Sequence, residues 1–129
     1  MNLEIIEKIG RKDMLREAKV FFDRCLDFTR GPVELHEMIE DGDRLNIIDV
    51  RKPEDYAKGH IVGAINLPEE QWITFRGLSK DRPNIVYCYS LVCQLSTKAA
   101  RYFAEHDFPV MQLLGGFDEW KKHELPVVA

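Results

Sequence analysis

A short apolar run that stops at a cysteine and then turns helical sets the tightest limit on what this chain can become. Residues 84–87, Asn-Ile-Val-Tyr after Pro83, are apolar and β-branched enough to read as a buried strand. From about Leu95 through Glu105, Ala99, Ala100, Phe103 and Ala104 recur among polar residues at helical spacing. Cys88 sits where the strand gives way. A thiol at such a junction meets backbone N–H groups at the helix start, and the helix dipole favours an anion there. A free thiol, with a pKa of about 8.5, is mostly protonated at neutral pH, and helix N-termini lower that value. Cys88 is thus the candidate nucleophile, expected to ionise more easily than an ordinary thiol. The plainer alternative is a small apolar residue at a strand end.

The flanking sequence repeats the same alternation. Met14, Leu15, Ala18, Phe21, Phe22, Cys25 and Leu26 fall at i, i+3/i+4 spacing and predict an amphipathic helix over 11–28, covering either the domain's own sheet or a partner subunit. Cys25 lies in that apolar stripe and reads as core packing. Thr29-Arg30-Gly31-Pro32 ends the helix by Gly and Pro punctuation. Residues 33–40 read as a brief extended entry and a short helix. The apolar run of Leu45, Ile47, Ile48 and Val50 within 45–50 is typical of a strand buried on both faces. Asp49 and Arg51 then stand at its C-terminal edge, where open α/β sheets place ligands, or else form a local ion pair. Pro53-Glu54-Asp55 opens a helix that Gly59 stops. A strand over 64–67, a helix over 69–75 with Trp72 and Phe75 inward, a last strand over 110–114 and a helix over 117–122 anchored by Trp120 complete the pattern. Strands alternating with helices at this spacing argue for an α/β sandwich with a mainly parallel sheet.

Composition narrows the function. The 129 residues suit one domain with a real core, and 45% hydrophobic against 31% charged residues is ordinary for a soluble fold. A net charge of −4 without any dense Lys/Arg block argues against nucleic acid or an anionic membrane as partner. The first ten residues break their apolar positions with charge, so neither a signal-peptide core nor a membrane span is expected, and a cytoplasmic location follows. Three cysteines, at 25, 88 and 93, make no even disulfide framework and have no metal-ligand spacing around them.

Five segments then occur in an informative order: I-I-D-V-R at 47–51, P-E-D-Y at 53–56, G-H-I-V-G-A-I-N-L-P at 59–68, I-V-Y-C at 85–88 and L-L-G-G-F-D-E-W at 113–120. The chain from Ile47 onward resembles the rhodanese family of sulfurtransferases. That resemblance implies a three-layer α/β sandwich, a central mainly parallel sheet flanked by helices, over residues 31–129, with residues 1–30 as an added N-terminal helical extension through which a homodimer could form. It implies sulfane-sulfur transfer. The Cys88 thiolate attacks a small anionic donor such as thiosulfate, or a persulfide, and passes the sulfur to a thiol, protein or cyanide acceptor, without metal or organic cofactor. The loop Tyr89, Ser90, Leu91, Val92, Cys93 and Gln94 is the expected cradle, Asp49 and Arg51 support it, and Gly115 and Gly116 lie beside it. His60 belongs to a structural turn in the family and not to the chemistry.

The loop departs from the common family form C-x-x-G-x-R/S-S. Leu91 stands in place of the glycine, Val92 and Cys93 follow, and matching Ser96 to the usual helix start makes the loop about two residues longer. A longer loop is similar to that of the related dual-specificity phosphatases, but their C-x5-R arginine is Gln94 here, so the main clamp for a phosphate is missing. Cys93 is either a resolving thiol for Cys88 or a buried thiol at the helix start. Leu91 and Val92 make the tip apolar, which favours the alternative of a weakly catalytic rhodanese-like binding or redox-sensing module, whereas the intact Cys88 favours the transferase.

Overall fold

A computed structural model describes residues 3–129, so the first two residues of the expected 1–30 extension lie outside the described residues. In chain order the elements are α1 (Leu3–Ile9), α2 (Arg11–Phe28), β1 (Thr29–Arg30), α3 (Pro32–Glu40), β2 (Asn46–Asp49), α4 (Pro53–Lys58), β3 (His60–Ile61), β4 (Ile65–Asn66), a 3₁₀ helix (Glu69–Thr74), β5 (Asn84–Tyr87), α5 (Leu95–Glu105), β6 (Val110–Leu113), α6 (Gly116–Lys122) and β7 (Val127–Val128). Five strands form one sheet in the order β1-β6-β5-β2-β4, and every neighbouring pair is parallel. The expected helix-flanked parallel sandwich is the observed architecture.

The two-residue period of β2 and β5 builds the layers. Successive residues of a strand point to opposite faces. Ile47, Ile85 and Tyr87 therefore pack on one face with Leu35 of α3 and Phe117 and Trp120 of α6. Ile48, Val86 and Cys88 pack on the other with Trp72, and with Ala99 and Phe103 of α5. Both central strands are buried on two sides, which is why each carries consecutive apolar residues, Ile47-Ile48 and Ile85-Val86, where a half-exposed strand would alternate. Leu35, Ile48, Ile85, Val86, Phe103 and Trp120 are fully enclosed. Each such side chain contributes about 1.5–3 kcal/mol relative to leaving it in water.

Three local readings change. Thr29 and Arg30, expected only to end a helix, pair in parallel with Gln112 and Leu113 as the edge strand of the sheet. Two residues carry no hydrophobic pattern, so nothing in them announced a strand. His60-Ile61 and Val127-Val128 form a separate antiparallel pair, so His60, expected in a turn, stands in a strand just before the turn at 62–63, where it stacks on Tyr56 at 3.7 Å while its Nδ1 lies 2.8 Å from the Tyr56 carbonyl. The helix over 69–75 is a 3₁₀ helix; Trp72 is buried and Phe75 packs partly beside it.

The amphipathic α2 has the predicted bounds but not the predicted cover. It touches β1, β6 and α1 and has no buried residue. Phe21, Phe22 and Leu26 are 60%, 61% and 75% exposed. The stripe therefore does not cover the chain's own sheet, because the helix adjoins the sheet only at the β1–β6 edge. Cys25 is half-buried rather than a core residue for the same reason.

Candidate functional site

Cys88 is the first residue past β5, at the C-terminal edge of the sheet, and is 1% exposed. Residues 89–94 form a loop closed by a turn in which Cys93 N–H donates to the Ser90 carbonyl at 3.1 Å, and α5 begins only at Leu95. This turn folds the loop over the sulfur. Cys88 Sγ reaches the Cys93 carbonyl oxygen at 3.5 Å and lies 3.4 Å from Ser96 Oγ.

The sequence marked Ser96 only as a helix-start residue and gave no sign of its place beside the sulfur. Ser96 is buried in the first turn of α5, and its oxygen accepts a hydrogen bond from Gln112 Nε2 at 2.9 Å, an amide that also donates to Thr97 Oγ1 at 2.8 Å. The same oxygen accepts from the Cys88 thiol, and once the sulfur is an anion the Ser96 hydroxyl hydrogen can turn to it. A chain of donors thus runs from β6 through Ser96 to Cys88. The signal available in sequence was a hydroxyl residue one position into a helix whose other buried positions, Ala99 and Phe103, are apolar.

The expected easy ionisation of Cys88 is not what the site produces. Burial pushes the Cys88 thiol up, and the hydrogen bonds from Ser96 only partly offset it, while the neighbouring Cys93 adds to the rise. The helix start supplies its donors, but six loop residues separate Cys88 from α5, and the enclosure they create costs an anion more than the donors return. Cys93 behaves in the opposite way. Burial works against its ionisation too, yet Cys88, the backbone N–H groups of Leu95 and Tyr89, and the Lys98 ammonium together hold it below the ordinary thiol range. A cleft of about 250 Å³ beside the loop is lined by Ser90, Leu91, Cys93, Gln94, Ser96 and Gln112 among others. Cys93 faces it, with Cys88 one layer beneath. Leu91 and Val92 project at the rim, 74% and 87% exposed.

The supporting residues are brought together as a scaffold rather than as ligands. Asp49 and Arg51 are both buried and paired, Arg51 Nη2 donating to Asp49 Oδ2 at 2.8 Å and to the Gly59 carbonyl at 2.6 Å. The guanidinium also lies 4.0 Å from the Phe117 ring centroid. Its Nε and Nη2 are taken up by Asp49 and the Gly59 carbonyl, and the residue borders a second cleft of about 370 Å³ lined by Asp55, Lys58, Tyr89, Phe117 and Lys121. Asp49 accepts from the Tyr87 hydroxyl at 2.6 Å, and that hydroxyl in turn accepts from Ile61 N–H at 3.1 Å. The residue before Cys88 is therefore tied to the neighbouring strand. Tyr89 is tied as well, its hydroxyl donating to Asp55 Oδ2 at 2.5 Å and accepting from Lys52 N–H.

Gly115 and Gly116 do lie against the loop. The N–H groups of Phe117 and Asp118, at the start of α6, donate to the Cys88 and Tyr89 carbonyls, each at 2.9 Å. Gly116 has φ +62°, and a Cβ there would stand 2.7 Å from the Cys88 carbonyl oxygen and 3.0 Å from Ser90 N. Only glycine lets α6 approach this closely.

Comparison with known proteins matches this geometry to a family. Residues 31–123 fit the model of the Rhodanese-like domain. This chain belongs to the rhodanese-like domain family. It is similar to the thiosulfate sulfurtransferase GlpE of Shewanella oneidensis, 40% identical over 78 residues that cover 59% of this chain and 75% of that protein. It is also 36% identical over 84 residues to the HTH-type transcriptional regulator Rv0324 of Mycobacterium tuberculosis, covering 64% of this chain but spanning only 37% of the regulator's length. Among solved structures, the BH2092 protein of Bacillus halodurans superposes with a TM-score of 0.81 at 32% identity, over 88% of this chain and 85% of that one. The rhodanese-like match takes in Cys88, its loop, Ser96, Gln112 and both glycines, whereas α1, α2, β1 and β7 lie outside it.

Proposed function

We propose that this rhodanese-like chain is a sulfurtransferase that carries sulfane sulfur as a persulfide on Cys88. The observation that carries the reading is Cys88 Sγ at the sheet edge with Ser96 Oγ 3.4 Å away and donor-ready through Gln112. The Cys88 thiolate attacks the outer sulfur of thiosulfate, the S–S bond of the donor breaks, and sulfite leaves with its electron pair. A persulfide donor reacts in the same way and releases a thiolate. The Ser96 hydroxyl and N–H then face the anion so formed. The first proton leaves the dithiol at Cys93, and transfer of the Cys88 proton to Cys93 moves the charge to the buried sulfur. A thiol or cyanide acceptor removes the outer sulfur and restores Cys88. A reducing compartment, the cytoplasm, suits a chain with three free cysteines.

A second reading, a rhodanese-like binding or redox-sensing module that turns over slowly, is favoured by the apolar rim of Leu91 and Val92 above a buried thiol. Steady-state transfer from thiosulfate to cyanide, read as thiocyanate, separates the two. The transferase reading expects turnover by the wild type and none by Cys88→Ser. An equal, background rate in both supports the module.

A further inference from the structure

Cys93 is a second thiol that the transfer reaction does not need. It is placed against the first by the turn 90–93, which brings its backbone carbonyl to 3.5 Å from Cys88 Sγ, and the two thiols are close enough to alter one another's protonation. Cys93 lines the cleft and Cys88 lies behind it. Residues 89–94 belong to no helix or strand, so closing the pair asks only that this loop bring the two Cα atoms within the roughly 7 Å a disulfide requires, with no helix or strand to break. Cys25, on α2 and outside this loop, is the internal contrast.

We propose that Cys93 attacks the inner sulfur of the Cys88 persulfide, forming a Cys88–Cys93 disulfide and expelling hydrosulfide. This rests on the persulfide reading and adds a second fate for the sulfur, a persulfide-reducing activity that needs no acceptor bound at the site. The step balances within the loop. The new bond joins Cys93 Sγ to Cys88 Sγ, the Cys88 S–S bond breaks, and the outer sulfur leaves with the bonding pair and the proton given up by Cys93. One sulfane sulfur is reduced to sulfide as two cysteines are oxidised to a disulfide. Hydrosulfide is a weaker base than an alkyl thiolate and so the better leaving group. A dithiol reductant closes the cycle by attacking the disulfide at the cleft-facing Cys93 sulfur and carrying away two electrons as its own disulfide.

The test is a single turnover without acceptor. Wild type, Cys93→Ser and Cys88→Ser are each incubated with thiosulfate, desalted without oxygen, and followed by intact mass, by released sulfide and by alkylation of the remaining thiols. In the wild type the added sulfur should disappear with first-order kinetics independent of protein concentration. One sulfide should appear per sulfur lost, with a mass lower by two hydrogens and only Cys25 left to alkylate. Cys93→Ser should hold its added sulfur at least tenfold longer and release no sulfide. Wild type and Cys93→Ser holding the sulfur equally long would overturn the inference while leaving the persulfide intact, as would migration of the sulfur to Cys93 without sulfide. Absence of both adduct and sulfide in every protein would instead remove the persulfide reading on which the inference stands. The wild-type result decides the matter even if a variant fails to fold.

Discussion

Replacing Gly116 by alanine tests how the site is held. The backbone at Gly116 has φ +62°, a conformation that costs an L-residue about 1–2 kcal/mol. The new methyl would meet three backbone atoms of the Cys88 loop, Cys88 O at 2.7 Å and Ser90 N and Tyr89 C at 3.0 Å, none of which can swing away as a side-chain tip would. Overpacking of that kind adds about 1–3 kcal/mol, for a total of about 2–5 kcal/mol. Gly42→Ala is the matched control, because φ there is +75° and a Cβ would meet nothing within 4 Å. It should lose only the conformational part. In urea unfolding Gly116→Ala should lower the midpoint by on the order of 1–2 M, clearly more than Gly42→Ala. The surviving folded fraction should transfer sulfur more slowly, on the order of a hundredfold, because α6 and the loop can no longer meet at the two 2.9 Å hydrogen bonds from Phe117 and Asp118. Equal midpoints for the two variants would refute the argument that close approach, and not turn geometry, explains this glycine.

Two further outcomes follow from the buried pair and the dithiol. Asp49→Ala leaves the enclosed Arg51 guanidinium without its counter-charge and the Tyr87 hydroxyl without its acceptor, so it should destabilise by about 3–5 kcal/mol in the same unfolding assay, and a loss under 1 kcal/mol would show that the pair is not structural. Limiting iodoacetamide followed across pH should label Cys93 at lower pH than an ordinary thiol and Cys88 only at higher pH, since the first is held down and the second pushed up by burial; labelling of Cys88 ahead of Cys93 would reverse the assignment of charge within the loop.

The sheet was legible because β2 and β5 are buried on both faces, and Ile47, Ile48, Ile85 and Val86 leave no polar position to confuse them. Helix α2 was legible for the opposite reason, a regular stripe, but periodicity reports that an apolar face exists and not what lies against it. Strand β1 and the β3–β7 pair were not legible, since two residues cannot show a period and their pairing depends on partners far away in the chain. Cys88 could be placed from the strand end alone. Its ionisation could not, because the same loop that brings Ser96 to the sulfur also shuts out water, and only the relative positions of Ser96, Gln112 and Cys93 show that enclosure outweighs the donors. The Asp49–Arg51 pair was readable as either scaffold or ligand site, and the Gly59 carbonyl and Phe117 ring that help hold Arg51 in place are distant in sequence.

The central claim is that Cys88 is the atom that takes the sulfur. Mass spectrometry after incubation with thiosulfate or a low-molecular-weight persulfide addresses it directly, with rapid acid quenching to catch the adduct and peptide mapping to locate it. The account predicts a gain of one sulfur mapped to Cys88 in the wild type, the same adduct in Cys93→Ser, and none in Cys88→Ser. An adduct that survives in Cys88→Ser and vanishes in Cys93→Ser would contradict it and make the cleft-facing thiol the nucleophile.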